Sequence, residues 1–376
     1  RAGRDVLIKR ILPLVEVGCD DRSWRVRWTA ASKFGDIIQA FTEFPGSMDT
    51  LIPSYEKLLQ DPEAEVKIAS ILNMPEVSRC THQILAESST ENETTIINNN
   101  KRVSIASKLV KRVIQASEDE NENVRAAIAM VVTEMAPILG KDLTISQLVP
   151  SVLLLLQDIT SEVRLNIISS LSSLDQVIGI ELLAQSLLPA IINLAEDGKW
   201  RIRLAIIEKI PSLAKQLGKD FFSNKLTDLC VTWLGDDIAS IRHAAATNLK
   251  ELASLFGSEW TSTFIMPSLL EIKKHQSYLR RLIAVEAYSL MATVLEPDYA
   301  KVELLPLILD MASDSVPNIR FNVAKWLGTL APVCGKVVCD SQIRPVLAVL
   351  VEDPDRDVRF FANKTLESTD NNCENP

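Results

Sequence analysis

The sequence is poor in several residue types that mark particular protein classes. Of its 376 residues only 12 are glycine and 5% are aromatic, whereas Leu, Ile, Val, Ala and charged residues dominate. This composition favours helices over a β-sandwich or barrel. The six cysteines contain no CxxC pair, so we expect reduced and partly buried thiols rather than a disulfide framework.

Positive charge and long apolar runs are also missing. The net charge is −9 and no basic tract occurs, which argues against nucleic acid as a main partner. No apolar run approaches the ~20 residues that a membrane span needs, and no signal-peptide pattern is present. We therefore expect a cytoplasmic protein, which could also be nuclear. Because the chain begins with Arg1 rather than Met, we expect a fragment or a processed product.

Catalytic motifs are absent from the sequence. His82, His243 and His275 are not spaced with carboxylates as a metal site requires. The patterns GxxxxGK[ST], GxGxxG, GxSxG and HExxH do not occur. The sequence thus predicts a protein that is not an enzyme, with no metal and no cofactor.

What is present is a repeat. The hexamers SWRVRW (23–28) and KWRIRL (199–204) follow one pattern, and equivalents of their second arginine recur at nearly regular intervals along the chain. This series of cations is Arg27, Lys67, Arg125, Arg164, Arg203, Arg242, Arg280, Arg320 and Arg359. An aspartate stands six residues earlier at Asp21, Asp61, Asp119, Asp158, Asp197, Asp236, Asp314 and Asp353, and Lys274 interrupts this second series. A proline precedes seven of the cations at a nearly constant spacing, at Pro13, Pro53, Pro150, Pro189, Pro267, Pro306 and Pro345.

Each repeat has the pattern of two helices joined by a short turn. A period of about 39 residues with two helices is typical of HEAT repeats, whose neighbours stack and share a core. The sequence therefore predicts an all-α solenoid of about nine HEAT repeats, with two antiparallel helices each, that forms one domain over residues 1–376. We expect the aspartates to pair with arginines of their own or the next repeat. This structural ladder includes Asp158, Arg164, Asp197, Arg203, Asp236, Arg242, Asp314, Arg320, Asp353 and Arg359.

Two stretches do not fit the helical pattern. The interval from Lys67 to Arg125 is longer than the others, and the excess lies in the Asn- and Thr-rich residues 87–100. That composition predicts a disordered insertion between repeats. The polar residues 368–376 predict a loose tail.

Trp24 and Trp200 occupy a position that the fold does not reserve for large apolar groups. The same position in the other repeats, three residues before the cation, holds Ala64, Glu122, Ser161, Ala239, Ser277, Pro317 and Arg356. Because Trp and Arg are enriched at interface hot spots, we interpret Trp24 with Arg25 and Trp200 with Arg201 as binding residues at solvent-facing turns. Local packing over the turn is the alternative. Tyr278, Arg281, Val316 and Pro317 belong to later turns and are predicted to line the same edge, whereas Trp28, Trp233, Trp260 and Trp326 are predicted core or groove residues.

Several strings resemble the scaffold (A) subunit of protein phosphatase 2A. They include SWRVRW, SEVRLNIISSL, QSLLPAIINLAEDGKWRIRLAIIEKIP, SNKLTDLC and NIRFNVAKWLG, and the chain resembles the last nine of the family's roughly fifteen repeats. The resemblance implies a non-catalytic scaffold whose C-terminal repeats hold a Ser/Thr phosphatase catalytic subunit, while its more N-terminal repeats hold an exchangeable regulatory subunit. It implies that Trp200, Arg201, Tyr278, Arg281, Val316 and Pro317 face the catalytic subunit. Trp24 and Arg25 would face a regulatory subunit.

Two other binding functions are compatible with a HEAT array. A tubulin-binding array would need a basic edge, which Asp197, Asp236, Asp314 and Asp353 near the turns oppose. A transport receptor that encloses cargo would need a longer array with acidic inner helices.

Overall fold

The computed structural model describes residues 4–87, 92–171, 174–179 and 187–372. Every regular element within these ranges is helical, so the fold is the all-α solenoid that the sequence predicts. The chain, for which the sequence predicts a single solenoid, divides into two compact units, Arg1–Ile202 and Arg203–Pro376.

The first unit contains helix pairs that stack on the next pair along the chain. Its α-helices are Arg4–Val6, Leu12–Cys19, Trp24–Ser32, Phe34–Ala40, Met48–Leu58, Ala64–Leu72, Met74–Glu87, Asn92–Ser117, Glu122–Val131, Ala136–Leu139, Lys141–Leu143, Val149–Leu156, Ser161–Ser170, Asp175–Ile178 and Leu188–Ala195. Helix Trp200–Leu217 follows. Short 3₁₀ segments lie at Pro45–Ser47 and Val132–Met135, and π-helical turns at Leu7–Ile11 and Thr144–Leu148.

The second unit repeats the same arrangement. Its α-helices are Lys219–Lys225, Thr227–Thr232, Ala239–Trp260, Met266–Lys273, Tyr278–Ala292, Pro297–Tyr299, Leu305–Asp310, Pro317–Cys334, Lys336–Val338, Arg344–Val351 and Arg356–Asn372. Trp233–Gly235 and Met311–Ser313 are 3₁₀ segments, and Thr261–Ile265, Ala300–Leu304 and Cys339–Ile343 are π-helical turns.

The prolines of the first helices explain the π-helical turns. In five repeats the proline is the second residue of an α-helix that directly follows a π-helical turn, at Pro13, Pro150, Pro267, Pro306 and Pro345. A proline inside a helix has no N–H for the carbonyl four residues earlier and its ring crowds that carbonyl. Widening the preceding turn to i→i+5 hydrogen bonds accommodates this, so the chain stays helical through the proline.

Glycine ends or bends the second helix of five repeats. Gly140, Gly179, Gly218, Gly257 and Gly335 have φ between 78° and 82°, a conformation that costs other residues strain. Each lies at the same spacing after the cation of its repeat. The glycine therefore sets the point at which the chain leaves one repeat and starts the first helix of the next.

Most of the predicted cations form inter-repeat ion pairs with the predicted aspartates, and Arg281 takes the place of the predicted Arg280. The pairs are Arg27–Asp61, Lys67–Asp119, Arg125–Asp158, Arg164–Asp197, Arg203–Asp236, Arg281–Asp314 and Arg320–Asp353, with N–O distances of 2.5 to 3.2 Å. Arg320 shows the geometry: its Nε and Nη2 donate to the two Asp353 oxygens at 2.7 and 2.8 Å, while Nη1 donates to the Asp314 carbonyl of its own repeat at 2.8 Å. One guanidinium thus fastens its own turn to the turn of the following repeat.

Each ladder aspartate also shapes the turn in front of the second helix. Asp158 Oδ1 accepts a hydrogen bond from the Thr160 N–H at 2.8 Å, and Asp353 Oδ1 accepts one from the Asp355 N–H at 2.9 Å. Such side-chain-to-backbone bonds are the reason that Asp is favoured at turns. The aspartate therefore has two structural roles, which accounts for its strict spacing in the sequence.

These contacts make stability depend on pH. The Arg320 guanidinium holds the pKa of Asp353 below its ordinary value, and Arg27, Arg125 and Arg281 do the same for Asp61, Asp158 and Asp314 against a burial effect that raises the pKa. A carboxyl whose pKa is lower in the folded state contributes stability above its unfolded pKa of about 3.9 and loses it as the pH falls through the folded value. We expect the melting temperature to be flat from pH 7 to 5 and to fall below pH 4. In Asp353→Asn the decline should be shallower, and an unchanged acid slope in that variant would contradict this assignment.

A second set of links joins the second helices of adjacent repeats. Pro211 has no N–H for the Ile207 carbonyl, and Asn248 of the next repeat donates to that carbonyl at 2.7 Å instead. Asn73 acts similarly, since its Nδ2 donates to the Ala31 carbonyl at 3.1 Å. Polar side chains from the following repeat therefore satisfy backbone groups that a break in a helix would leave unpaired.

The predicted insertion and tail are helical where the structure describes them. Helix Met74–Glu87 includes residue 87, helix Asn92–Ser117 includes residues 92–100, and residues 88–91 lie outside the described residues. The prediction of disorder is therefore wrong for 92–100: once the later part of a helix is formed, each further residue adds one hydrogen bond at little cost. The last helix continues to Asn372 and buries Thr369, so the tail is not loose over 368–372; residues 373–376 lie outside the description.

The described cysteines agree with the expected buried thiols. Cys19, Cys80, Cys230 and Cys334 are free thiols, and these four and Cys339 are buried. Burial raises the pKa of the Cys19 thiol to about 11, which keeps it protonated near neutral pH. No helix among the described residues is long and apolar enough to cross a bilayer.

Candidate functional site

The candidate site is the edge formed by the turns between the two helices of a repeat. Trp24 begins helix Trp24–Ser32 and Trp200 begins helix Trp200–Leu217. Both tryptophans lie in the first unit, and both side chains are half-buried, so each indole keeps one accessible side. The fold therefore presents these two aromatic rings at turns rather than enclosing them in the core.

An arginine stacks on each tryptophan. The Arg25 guanidinium carbon lies 4.8 Å from the Trp24 ring centroid, and that of Arg201 lies 4.6 Å from the Trp200 centroid. Both arginines are exposed. A cation–π contact of this kind contributes about 0.5–1 kcal/mol at an exposed site, and it holds the planar set of guanidinium donors in one orientation. The two hexamers thus fold into the same preorganised pair of an apolar ring and a hydrogen-bond donor.

Ile159 adds an apolar residue that sequence reasoning missed. It lies at the tip of a turn and is 88% exposed. The next turn of the same unit carries Trp200, and Lys199 joins the two turns by donating from Nζ to Ser161 Oγ at 2.9 Å. The signal in the sequence was an isoleucine at a turn position where most other repeats have a polar residue, Gly or Pro.

Arg281, which the sequence predicts to line the binding edge, is held in the ladder. Its side chain is 15% exposed, and Nε and Nη2 donate to the two Asp314 oxygens at 2.7 and 3.0 Å. Arg281 is the ladder cation of this repeat, and Arg280 is not. The spacing contained the signal, since Arg281 lies midway between Arg242 and Arg320 in the sequence. The sequence prediction placed Arg280 in the ladder because two adjacent arginines both fit a period of about 39 residues.

Tyr278 occupies the same position of its repeat as the two tryptophans. Counted from Arg281, Tyr278 stands three residues before the cation, at the position of Trp24 and Trp200. It begins helix Tyr278–Ala292 and is 40% exposed, as is the adjacent Leu279. Three repeats therefore place an aromatic residue at the same position of the turn.

The last predicted contacts lie at the start of helix Pro317–Cys334. Val316 and Pro317 are both half-buried. Asp314 Oδ1 accepts a hydrogen bond from the Val316 N–H at 2.9 Å, so the aspartate that binds Arg281 also fixes the turn that carries Val316. The structure thus connects Arg281 and Val316 through Asp314, with Arg281 as a support and Val316 as a surface residue.

The ladder prediction fails at one inner cation. Arg242 donates to the Asp236 and Asp237 carbonyls at 2.7 and 3.0 Å, but it has no aspartate partner within the described residues. Arg359 likewise donates to the Asp353 carbonyl of its own repeat, at 2.7 Å. Among the described residues, no group of three or more His, Cys, Asp or Glu could hold a metal ion.

Comparison with known proteins identifies the kind of chain that carries this edge. Residues 2–226 match the family described as PIK3R4-like, middle domain, and residues 304–334 match a HEAT repeat. The A-type regulatory subunit of protein phosphatase PP2A from Saccharomyces cerevisiae is 38% identical over 117 residues, which cover 29% of this chain and 18% of that protein. The Drosophila melanogaster PP2A 65 kDa regulatory subunit is 43% identical over 56 residues, which cover 15% of this chain and 10% of that protein.

The solved structures that resemble this chain support the fold. A crystal structure of a Kap121p mutant superposes with a TM-score of 0.67 over 98% of this chain and 42% of that one, at 15% identity. A crystal structure of importin beta gives 0.66 over 97% of this chain and 45% of that one, at 14% identity. The aligned segments span less than a fifth of the curated relatives. The chain is a HEAT-repeat solenoid similar to the A-type regulatory subunit of PP2A, and since the family match covers more than half of its length, it belongs to the PIK3R4-like, middle domain family.

Proposed function

We propose that this chain is a non-catalytic scaffold that holds a Ser/Thr protein phosphatase catalytic subunit. The observation that carries the proposal is the stacked Trp–Arg pair, which recurs at the same turn position in two repeats. The similarity to the A-type regulatory subunit of PP2A supports a phosphatase as the partner. The surface fits a protein partner because aromatic rings and guanidinium groups supply most hot-spot energy at protein interfaces.

The two hexamers are proposed to serve different partners. Trp200, Arg201 and Ile159 contact the catalytic subunit from the first unit. In the second unit Tyr278, Val316 and Pro317 contact it through their own turns. Trp24 and Arg25 contact a regulatory subunit.

Trp200→Ala is expected to weaken binding of a purified phosphatase catalytic subunit by at least about 2 kcal/mol, because an interface tryptophan is a frequent hot spot. The measurement is the dissociation constant by isothermal titration calorimetry. Trp24→Ala is the matched control, since it removes the same stacked pair from the other hexamer and should leave this affinity unchanged.

The two variants also separate loss of contact from loss of fold. Each should keep the helical circular dichroism and melting temperature of the original chain, since the indoles lie at the surface of the turns. Equal affinity of Trp200→Ala and the original chain would remove Trp200 from the site. An equal loss in both variants would contradict the assignment of the two hexamers to different partners.

A further inference from the structure

The link that fastens consecutive repeats is interrupted once within the second unit. Arg203, Arg281 and Arg320 each hold the carboxylate of an aspartate that follows at one constant spacing in the sequence. The residue at that same spacing after Arg242 is His275. The ladder position at this junction therefore carries an imidazole instead of a carboxylate.

His275 retains the backbone roles of the aspartate that it replaces. Its Nδ1 accepts a hydrogen bond from the Ser277 N–H at 3.0 Å, just as Asp314 accepts one from the N–H two residues later. The His275 carbonyl accepts from Arg281 Nη1 at 2.9 Å. The turn is thus preserved, but this junction lacks the carboxylate that binds the preceding arginine at the other junctions of the unit.

Arg242 consequently has N–H donors that no carboxylate of the described residues accepts. Its Nη1 binds the Asp236 and Asp237 carbonyls, as in the other repeats. Its Nε and Nη2, which in Arg203 hold two carboxylate oxygens at 2.9 and 3.0 Å, make no hydrogen bond within the part of the chain that the structure describes. These two N–H groups form the planar fork that matches a carboxylate.

A second guanidinium reaches the same turn. Arg280 is exposed, and its Nη2 lies 3.4 Å from the Gly235 carbonyl. The absence of a side chain at Gly235 permits this approach, because a Cβ there would lie 3.0 Å from Arg280 Cζ. Arg280 and Arg242 therefore contact consecutive backbone carbonyls, at residues 235 and 236–237.

Three carboxylates close to this turn in the sequence have other partners. Asp236 binds Arg203 at 2.9 Å, and Glu286 lies 2.7 Å from His243. Glu271 lies 3.5 Å from Lys274. The positive charge of Arg242 and Arg280 is thus not neutralised by these three carboxylates.

We propose that Arg242 and Arg280 bind an acidic side chain of a protein partner, which supplies the carboxylate that the chain itself provides at the other junctions. Tyr278 and Leu279, each 40% exposed, lie in the same turn region and offer apolar surface beside it. The partner thus presents an Asp or Glu next to an apolar residue. That the partner is the phosphatase catalytic subunit rests on the proposed function; the carboxylate site itself does not.

His275→Asp tests the site because it lets the chain fill it. The new carboxylate should pair with Arg242 and raise the melting temperature by about 2 °C or more. It should weaken binding of the catalytic subunit tenfold or more, on the order of 1.4 kcal/mol. Arg242→Gln should weaken binding similarly without raising the melting temperature. A purely structural role for this junction would give no loss of binding in His275→Asp, and that result would overturn the catalytic subunit as the source of the carboxylate.

A second experiment tests the site without the catalytic subunit. The Arg242 Nε–H resonance of the ¹⁵N-labelled chain, assigned by its loss in Arg242→Gln, is followed during titration with N-acetyl-aspartate α-methylamide, with N-acetyl-asparagine methylamide as the neutral control and inorganic phosphate as a third arm. The aspartate should shift this resonance in the original chain and not in His275→Asp. No shift with any anion, or a shift with phosphate alone, would overturn the carboxylate assignment. If the catalytic subunit does not bind the original chain while the aspartate does, the proposed function fails and the site stands.

Discussion

Replacing Asp158 with alanine should lower the free energy of unfolding of the first unit by about 3 kcal/mol. The Asp158 side chain is 8% exposed and accepts from Arg125 Nε and Nη2 at 2.6 and 3.1 Å. Its removal leaves the largely buried Arg125 guanidinium without a counter-charge. The free-energy cost of such an unpaired buried charge exceeds the net stabilisation that the intact ion pair provides. It also removes the acceptor for the Thr160 N–H, so the turn before helix Ser161–Ser170 loses its side-chain support.

The measurement is urea unfolding monitored by hydrogen exchange of individual helices, because a repeat array can open locally. Protection should fall in helices Glu122–Val131 and Ser161–Ser170, which Arg125 and Asp158 connect. Asp36→Ala is the control: Asp36 pairs with Lys33 at 3.5 Å with both side chains more than two-thirds exposed, so its loss should change stability by less than about 0.5 kcal/mol. Equal effects of the two substitutions would mean that the ladder is no stronger than a surface ion pair.

Trp260→Ala should destabilise the second unit by about 4 kcal/mol, because it opens a large cavity in an aromatic cluster. Trp260 is fully buried, with ring centroids of Phe256, Phe264 and Phe222 at 5.0, 6.1 and 6.3 Å. Its Nε1–H donates to Ser223 Oγ at 2.8 Å, so the substitution also leaves that hydroxyl without this donor. Differential scanning calorimetry of the whole chain measures the loss.

Two variants separate the contributions of the indole. Trp260→Phe keeps most of the volume and removes the hydrogen bond, so a loss of about 1 kcal/mol is expected. Trp28→Ala applies the original truncation to a tryptophan that is 44% exposed, and it should cost less than about 1.5 kcal/mol. A similar loss in Trp28→Ala and Trp260→Ala would show that the cluster around Trp260 is not close-packed.

The sequence predicted the fold where a side chain makes the same contacts in each repeat. The aspartate series is readable because each member makes two fixed contacts, to a cation of the preceding repeat and to the backbone of its own turn. The hydrogen bond from Asn248 to the Ile207 carbonyl was not predicted. Pro211 leaves that carbonyl without its helical donor, but the sequence does not show which side chain of the next repeat lies opposite it. Residues 92–100 were misjudged because Asn and Thr have low intrinsic helix propensity, whereas their position at the start of a long helix decides their structure.

The residue types of the candidate site were predictable from the sequence, but their exact positions within each repeat were less so. Two copies of the hexamer drew attention to Trp24 and Trp200 because the other repeats show what that position needs for folding alone. Tyr278 was predicted as a binding residue but not as the equivalent of these tryptophans. That equivalence depends on counting from Arg281, and only the contact with Asp314 distinguishes Arg281 from Arg280. Ile159 escaped notice because one exposed apolar residue is common at protein surfaces and only its 88% exposure distinguishes it.

From Arg125 onward each paired cation and aspartate lie 33 residues apart, which bears on how chimeric arrays can be assembled. A block such as 125–163 or 281–319 contains one cation and one aspartate at their standard positions, so it can join donor and acceptor to whatever block is grafted before or after it. The block 242–280 carries His275 instead. Grafted elsewhere, this block would transfer both an arginine without an aspartate partner and the proposed capacity to bind an acidic side chain of another protein.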